Sequence, residues 1–343
     1  MTHRAVLLAA LTTLLAAGTA FGQDHVSISG LSYLDYNYVI SCPKDVEGED
    51  CKGENGFGYR RVYLTVDYKL SDAFSGRIRF EATDRAVTEA GRPSPFIKDL
   101  YVKWKWTDGH DVVLGVTNPP SFVVSEKIWG YRSLERTIQD DRDVLESRDL
   151  GLAAHGRINS SGTLRYGIML GNNSSVGGEI DKAKRIYGQL EICPSKGEAK
   201  DCASATGFIA TLGSDYAKFG DDVAEAINAN GFAGYRGARF AVGVESFFNR
   251  LNLNEAPADS SSADEIGVSL FGHFGLNEMV TLIGRYDHVD SDLASIRTDG
   301  RLFIAGVDIR PHKNVHFIPN VLTRWEGDAS ALVSGRVTVH VEF

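Results

Sequence analysis

The C-terminal residues, Gly335-Arg336-Val337-Thr338-Val339-His340-Val341-Glu342-Phe343, alternate strictly between two kinds of side chain. Val337, Val339, Val341 and Phe343 fall on one face of an extended chain, and Arg336, Thr338, His340 and Glu342 on the other. A soluble sheet has little reason to end on a strand that presents an aromatic ring to water. A strand between lipid on one face and water on the other needs this pattern. The ending therefore restricts the fold more than any other feature, provided the rest of the chain has the same period.

At the other end, Arg4 precedes an apolar or small run from Ala5 to Ala20, and Ala20-Phe21-Gly22 offers a small-x-small cleavage site before Gln23. A basic start, a short apolar core and small exit residues are the pattern of a secretory signal peptide, here residues 1–22. A spanning helix needs roughly 20 apolar residues, more than this run supplies. No later stretch is long and apolar enough to cross a bilayer as a helix. A membrane location for residues 23–343 thus requires a closed barrel, which alone satisfies every backbone group among strands.

The period of two holds from Val26 onward. Val62, Leu64, Val66 and Tyr68 alternate with charged and polar neighbours, as do Ile78, Phe80 and Ala82, and then Leu100, Val102, Trp104 and Trp106. Tyr68, Trp104 and Trp106 sit near strand ends, where an interfacial aromatic girdle would place them. Candidate strands run over 25–40, 57–70, 74–86, 96–107, 110–118, 148–158, 162–172, 183–193, 204–216, 226–235, 238–250, 264–275, 278–289, 300–310, 314–326 and 333–343. Short turns (71–72, 107–109, 159–161, 236–237, 276–277, 311–313) alternate with longer polar segments. The segment 194–203 breaks that alternation, being too long for its side, and 226–235 is the weakest of the strands. The expected fold is all-β: a closed antiparallel transmembrane β-barrel of about sixteen strands, with no plug domain before it and a lumen that only loops can close.

Composition bears on partners. A formal net charge of -9 argues against a general nucleic-acid binder. The four cysteines form two matching pairs, Cys42/Cys51 and Cys193/Cys202, each enclosing eight residues. In an exported chain such pairs read as two local disulfides. Zinc is the competing reading, but the pairs are not C-x-x-C and no histidine stands beside them. No G-x-S-x-G is present, and His110, His155, His273, His288, His312, His316 and His340 are scattered; Pro311 precludes a helical metal pair at His312 and His316. No enzyme, metal or cofactor is expected.

The longest connection, Pro119 to Ser147, is rich in apolar and aromatic residues that would not lie free in water: Phe122, Ile128, Trp129, Tyr131 and Leu134. Pro119-Pro120 ends the preceding strand. Ser125 is a candidate N-cap for a few helical turns reaching Thr137. One buried place for such a loop is the barrel interior. There it would present Glu126, Glu135, Asp140, Asp141 and Asp143 alongside Lys127, Arg132, Arg136 and Arg142, facing a basic wall of Arg61, Arg77, Arg79, Arg85, Lys103 and Lys105. A basic wall opposite an acidic loop would set a transverse field across the passage and select ions by sign.

The ending at Val337, Val339, Val341 and Phe343 resembles the assembly signal of bacterial outer-membrane β-barrels, which implies the barrel-assembly machinery as a partner and outer-membrane lipid as the surroundings. Over the whole of residues 23–343 the chain resembles the sixteen-stranded porins. In that family the loop after the fifth strand folds into the lumen and narrows it, a role the resemblance gives to Pro119–Ser147. Arg60-Arg61-Val62 through Phe80, and Trp129-Gly130-Tyr131-Arg132 to Ser147-Arg148-Asp149-Leu150-Gly151, look most like the phosphate-selective porin type. The resemblance implies a homotrimeric diffusion channel in the bacterial outer membrane for small hydrophilic solutes or ions; the basic wall predicts a weak anion preference. The alternatives are a non-conducting barrel used for adhesion or surface binding, and a soluble secreted β-protein.

Overall fold

A computed structural model describes residues 25–43, 51–85, 87–178, 182–194, 202–219, 223–253, 262–292 and 299–343. The expected signal peptide lies outside these. The described chain is built from β1 (Val26–Ser41), β2 (Asn55–Lys69), β3 (Phe74–Ala82), β4 (Phe96–Thr107), β5 (His110–Thr117), α1 (Val123–Trp129), α2 (Ile138–Asp141), β6 (Asp149–Arg157), β7 (Leu164–Gly171), β8 (Lys184–Ile192), β9 (Gly207–Lys218), β10 (Val223–Arg236), β11 (Phe240–Leu253), β12 (Ser262–Gly275), β13 (Val280–Ser291), β14 (Gly300–His312), β15 (Val315–Glu326) and β16 (Leu332–Glu342). Each strand pairs antiparallel with its neighbours in sequence, and β16 returns to β1, so the ring of sixteen is closed. Closure removes the sheet edges that would otherwise leave backbone donors and acceptors unpaired in lipid.

The strand expected over 226–235 is β10, longer at both ends and paired with β9 and β11 along its length. The third strand stops at Ala82, so Arg85 follows it and is exposed, instead of standing on its lumen face.

The seam between β1 and β16 pairs Leu31 with Glu342, Tyr33 with His340 and Asp35 with Thr338. Phe343 lies just past β16 yet continues the ladder, donating to the Gly30 carbonyl at 3.0 Å and accepting from the Gly30 N–H at 2.7 Å. Its ring lies over Gly30, where a Cβ would stand 2.3 Å from the Phe343 Cζ. Only glycine leaves room for a ring so close to the backbone.

Outside, Leu64, Leu100, Leu114, Leu152, Ile186, Leu212, Ile266, Leu270, Leu282 and Val321 are all exposed, a belt around the whole barrel with Trp104 and Trp106 at one rim. Such an apolar surface is costly in water and suited to hydrocarbon. Both cysteine pairs form disulfides, Cys42–Cys51 and Cys193–Cys202.

Inside, the wall is of two kinds. On β1–β4 it is polar, with Asp35, Thr65, Glu81 and Asp99 buried. On β9–β15 the inward positions include Ile209, Phe232, Phe271, Ile283, Leu302, Ile304, Ile318 and Leu322, all buried. The second kind departs from the uniformly polar lumen that alternation implies. These residues form one core with Val124, Ile128, Trp129 and Leu134 of the long connection between β5 and β6.

Candidate functional site

The β5–β6 connection begins at Pro119-Pro120 and turns into the barrel. Helix α1 starts at Val123, two residues before the expected cap. Ser125 does not cap it; its hydroxyl donates back to the Phe122 carbonyl at 2.8 Å. The helix ends at Gly130, whose positive φ of 71° lets its N–H close on the Glu126 carbonyl at 3.0 Å. The run expected to be helical as far as Thr137 is helical only to Trp129; a non-helical tip follows, and α2 begins beyond it at Ile138. A seven-residue helix is not stable alone, and α1 packs on β10, β11 and β12.

Trp129 is fully buried against that wall. Its ring meets Phe271 edge-on at 5.6 Å, its Nε1–H donates to the Glu135 carbonyl at 3.0 Å, and the Arg285 guanidinium lies 5.4 Å from its centroid. Trp129, which the sequence places in the loop as a residue in need of a dry partner, anchors the loop there. Tyr131 does the same, donating to Asp308 on β14 at 3.1 Å.

The loop is pinned around most of the lumen. Gln189 of β8 donates to the Ser121 carbonyl, and Gln139 donates to Glu245 of β11 at 2.9 Å. Arg142 holds Glu265 of β12 at 2.9 and 3.0 Å. Arg285 of β13 reaches the Arg136 carbonyl, and Arg324 of β15 reaches Asp141 at 2.8 Å and Glu135 at 3.4 Å. At the tip, Arg336 of β16 donates to the Leu134 carbonyl at 2.7 Å, and Arg60 of β2 donates to the carbonyls of Ser133 and Leu134. Behind them stands Asp35, bonded to Arg60 and to the Thr338 hydroxyl.

These pairings change the expected electrostatics. The loop carboxylates do not face a bare basic wall. Glu126 and Asp140 pair with Arg132, and Asp140, Asp141 and Asp143 stand within 3.7 Å of Arg136. The wall cations are also matched: Arg61 with Glu81 at 3.0 Å, Arg77 with Asp67 at 2.7 Å, Arg79 with Asp99 at 3.2 Å, Lys103 with Asp111 at 3.6 Å and Lys105 with Asp108 at 3.4 Å. Arg79 shares the buried Asp99 with Arg148, so neutralising it disturbs packing along with any field. Burial alone would push the Glu135 carboxyl up, but Arg324, Arg60 and Arg336 hold it below the ordinary glutamate range. Asp141, buried beside the Glu135 charge, lies above the ordinary aspartate range despite Arg324.

The excess of positive charge gathers around two cavities. A cavity of about 880 Å³ at the long-connection end is lined by Arg60, Arg61, Arg85, Arg132, Arg136, Arg324 and Arg336, against four acidic side chains, Asp35, Asp84, Glu135 and Asp141. A second, of about 740 Å³ at the short-turn end, has Lys103, Lys105, Lys127, Arg157 and Arg165 against Asp72, Asp108, Asp111 and Glu191. The structure thus brings Arg61, Arg85 and four loop residues, Arg132, Glu135, Arg136 and Asp141, to the first cavity, and Lys103, Lys105 and Lys127 to the second.

Sequence reasoning missed Arg60, Arg324 and Arg336. Arg324 and Arg336 were legible, since they share the inward parity of Leu322 and Thr338. Arg60 was not. A β-bulge pairs Tyr33 with Arg61 and Leu34 with Tyr59, leaving Arg60 as the extra residue. Strict alternation would send it to lipid; the bulge turns it inward beside Arg61. Lys98 is the extra residue of a second bulge, between β3 and β4, and pairs with Glu81 at 3.1 Å.

One cluster of metal-ligating residue types occurs among the described residues, Glu191, Cys193 and Cys202, and its sulfurs are joined in the disulfide.

No protein-family model matches the chain, and no curated protein sequence is similar to it. Solved structures are. An anion-selective porin from Comamonas acidovorans superposes with a TM-score of 0.67 at 13% identity, covering 93% of this chain and 99% of that one. The outer membrane channel DcaP of Acinetobacter baumannii gives 0.63 at 10% identity over 93% and 96%. OmpF of Salmonella typhi, in complex with daunomycin, gives 0.61 at 12% over 93% and 97%. At such identities the likeness is one of fold. The chain is a closed, sixteen-stranded antiparallel β-barrel with the fold of the bacterial outer-membrane porins.

Proposed function

We propose that the chain is exported by its N-terminal signal peptide to the bacterial outer membrane, where it is a passive diffusion channel for small hydrophilic solutes. The observation that carries this reading is a closed barrel with an apolar exterior and a polar cavity on each side of an inward-folded loop. The loop from Pro119 to Ser147 is the constriction element. A weak anion preference follows from seven basic against four acidic side chains around the larger cavity. The porin and channel neighbours support the reading, and a neighbouring outer-membrane protein recorded in trimer form supports a homotrimer. The phosphate-selective subtype rests on the sequence resemblance alone.

A second reading, a non-conducting barrel used for adhesion, has one observation in its favour: the loop tip is tied to β2 and β16, across the barrel from the strands that α1 packs on. Reversal potential across a potassium chloride gradient tests the charge argument. Chloride should be favoured over potassium by a small factor, and a strong cation preference would contradict the assignment of the cavity arginines.

A further inference from the structure

The connection between β8 and β9 is at the short-turn end, where its counterparts are as brief as 237–239 and 313–314. It spans 193–206, and of its described residues Cys193, Cys202 and Ala203 fold inward while Ser204 and Thr206 stay exposed. Cys193, Cys202 and Ala203 are 6%, 3% and 2% exposed. A 3₁₀ turn, Cys202–Ser204, packs on α1, and the cystine and Ala203 share one apolar core with Val124, Ile128, Ile209 and Phe232. Just before it, Gln189 donates to the Ser121 carbonyl at the root of the loop. Just after it, Gly207 has a φ of +132° and lies under Pro194; a Cβ there would come within 2.8 Å of the Pro194 Cβ. The segment is thus packed tightly at both ends.

We infer that the Cys193–Cys202 cystine and the turn Cys202–Ser204 are a second constriction element, a prop beneath α1 that sets how far the constriction loop stands from the opposite wall. The inference rests on the channel reading and extends it. Helix α1 is short and has no side-chain cap, so its position depends on what it packs against. The β9–β12 wall supports one flank, and the cystine turn supports it from the short-turn end. The disulfide removes the freedom the turn would need to withdraw. Cys42–Cys51 has no such part: both its cysteines are half-buried at the far end, outside this core. Ala203 is the positioning residue, because its small side chain fixes the spacing between turn and helix.

The test is single-channel recording of folded full-length protein in planar bilayers, comparing the parent with three variants. Cys193→Ser/Cys202→Ser should raise mean conductance and increase flicker between levels about tenfold, the change expected when docking weakens by about 1.4 kcal/mol. Ala203→Leu keeps the disulfide and thickens the prop, so conductance should fall. Cys42→Ser/Cys51→Ser should match the parent. If both the first pair and Ala203→Leu give parental conductance and noise, the prop is refuted. Should the serine pair fail to fold, Ala203→Leu decides alone, and a silent parent would count against the channel reading itself.

Discussion

Replacing Arg60 and Arg336 by alanine, together with their partner Asp35, is expected to release the tip of the constriction loop and raise single-channel conductance several-fold, with frequent transitions between levels. The two guanidiniums supply the bonds to the Ser133 and Leu134 carbonyls, the point where the loop meets the seam side of the barrel. A hydrogen bond to a charged group contributes about 1.5–3 kcal/mol. Losing two or three such bonds moves the docked population by more than a factor of ten, since about 1.4 kcal/mol is tenfold. Asp35 is removed with them because it is 8% exposed and would otherwise be left as a buried charge without its guanidiniums. The rest of the loop stays anchored through Trp129 and Tyr131, so the barrel should keep its heat-modifiable mobility on a denaturing gel. A triple variant with parental conductance would mean that the tip contacts do not limit the passage.

The second large effect concerns stability. Arg142 runs from the end of α2 to Glu265, which is 0% exposed on β12, at 2.9 and 3.0 Å. Arg142→Ala should destabilise the folded barrel by about 3–5 kcal/mol, because the charge left behind is taken out of water without its counterion. Urea unfolding in lipid vesicles, followed by tryptophan fluorescence, measures it. Adding Glu265→Gln should recover much of the loss, and absence of any recovery would show that Arg142 acts by packing alone. Arg136 is the contrast: three carboxylates lie within 3.7 Å, but its side chain is 35% exposed. Solvent screens such pairs, so Arg136→Ala should cost no more than about 1 kcal/mol.

These two cases show where the sequence was readable. Period-two alternation carries the strands, because a residue facing lipid and one facing water cannot exchange roles without a large transfer penalty. Even β10, with its Ala, Asn and Gly content, follows once its neighbours fix the register. The inward fold of the β5–β6 connection was legible for the same reason: Trp129, Ile128 and Leu134 need a dry partner. That partner was not legible. Ile209, Phe232, Phe271 and Ile304 are apolar on a lumen face, and alternation between two apolar faces looks like an undivided apolar run. The charges were legible as types but not as pairs, since Arg324–Asp141 and Arg142–Glu265 join residues more than a hundred positions apart. Arg60 escaped because a bulge breaks the parity that every other assignment used.

The central claim is that a solute-accessible passage runs past the pinned loop, and unit conductance tests it most directly. Purified protein, folded and shown to be heat-modifiable, should insert into planar lipid bilayers in discrete, reproducible current steps that scale with salt concentration. Folded barrel that inserts without producing steps would contradict the channel and leave the closed, adhesive barrel as the better account.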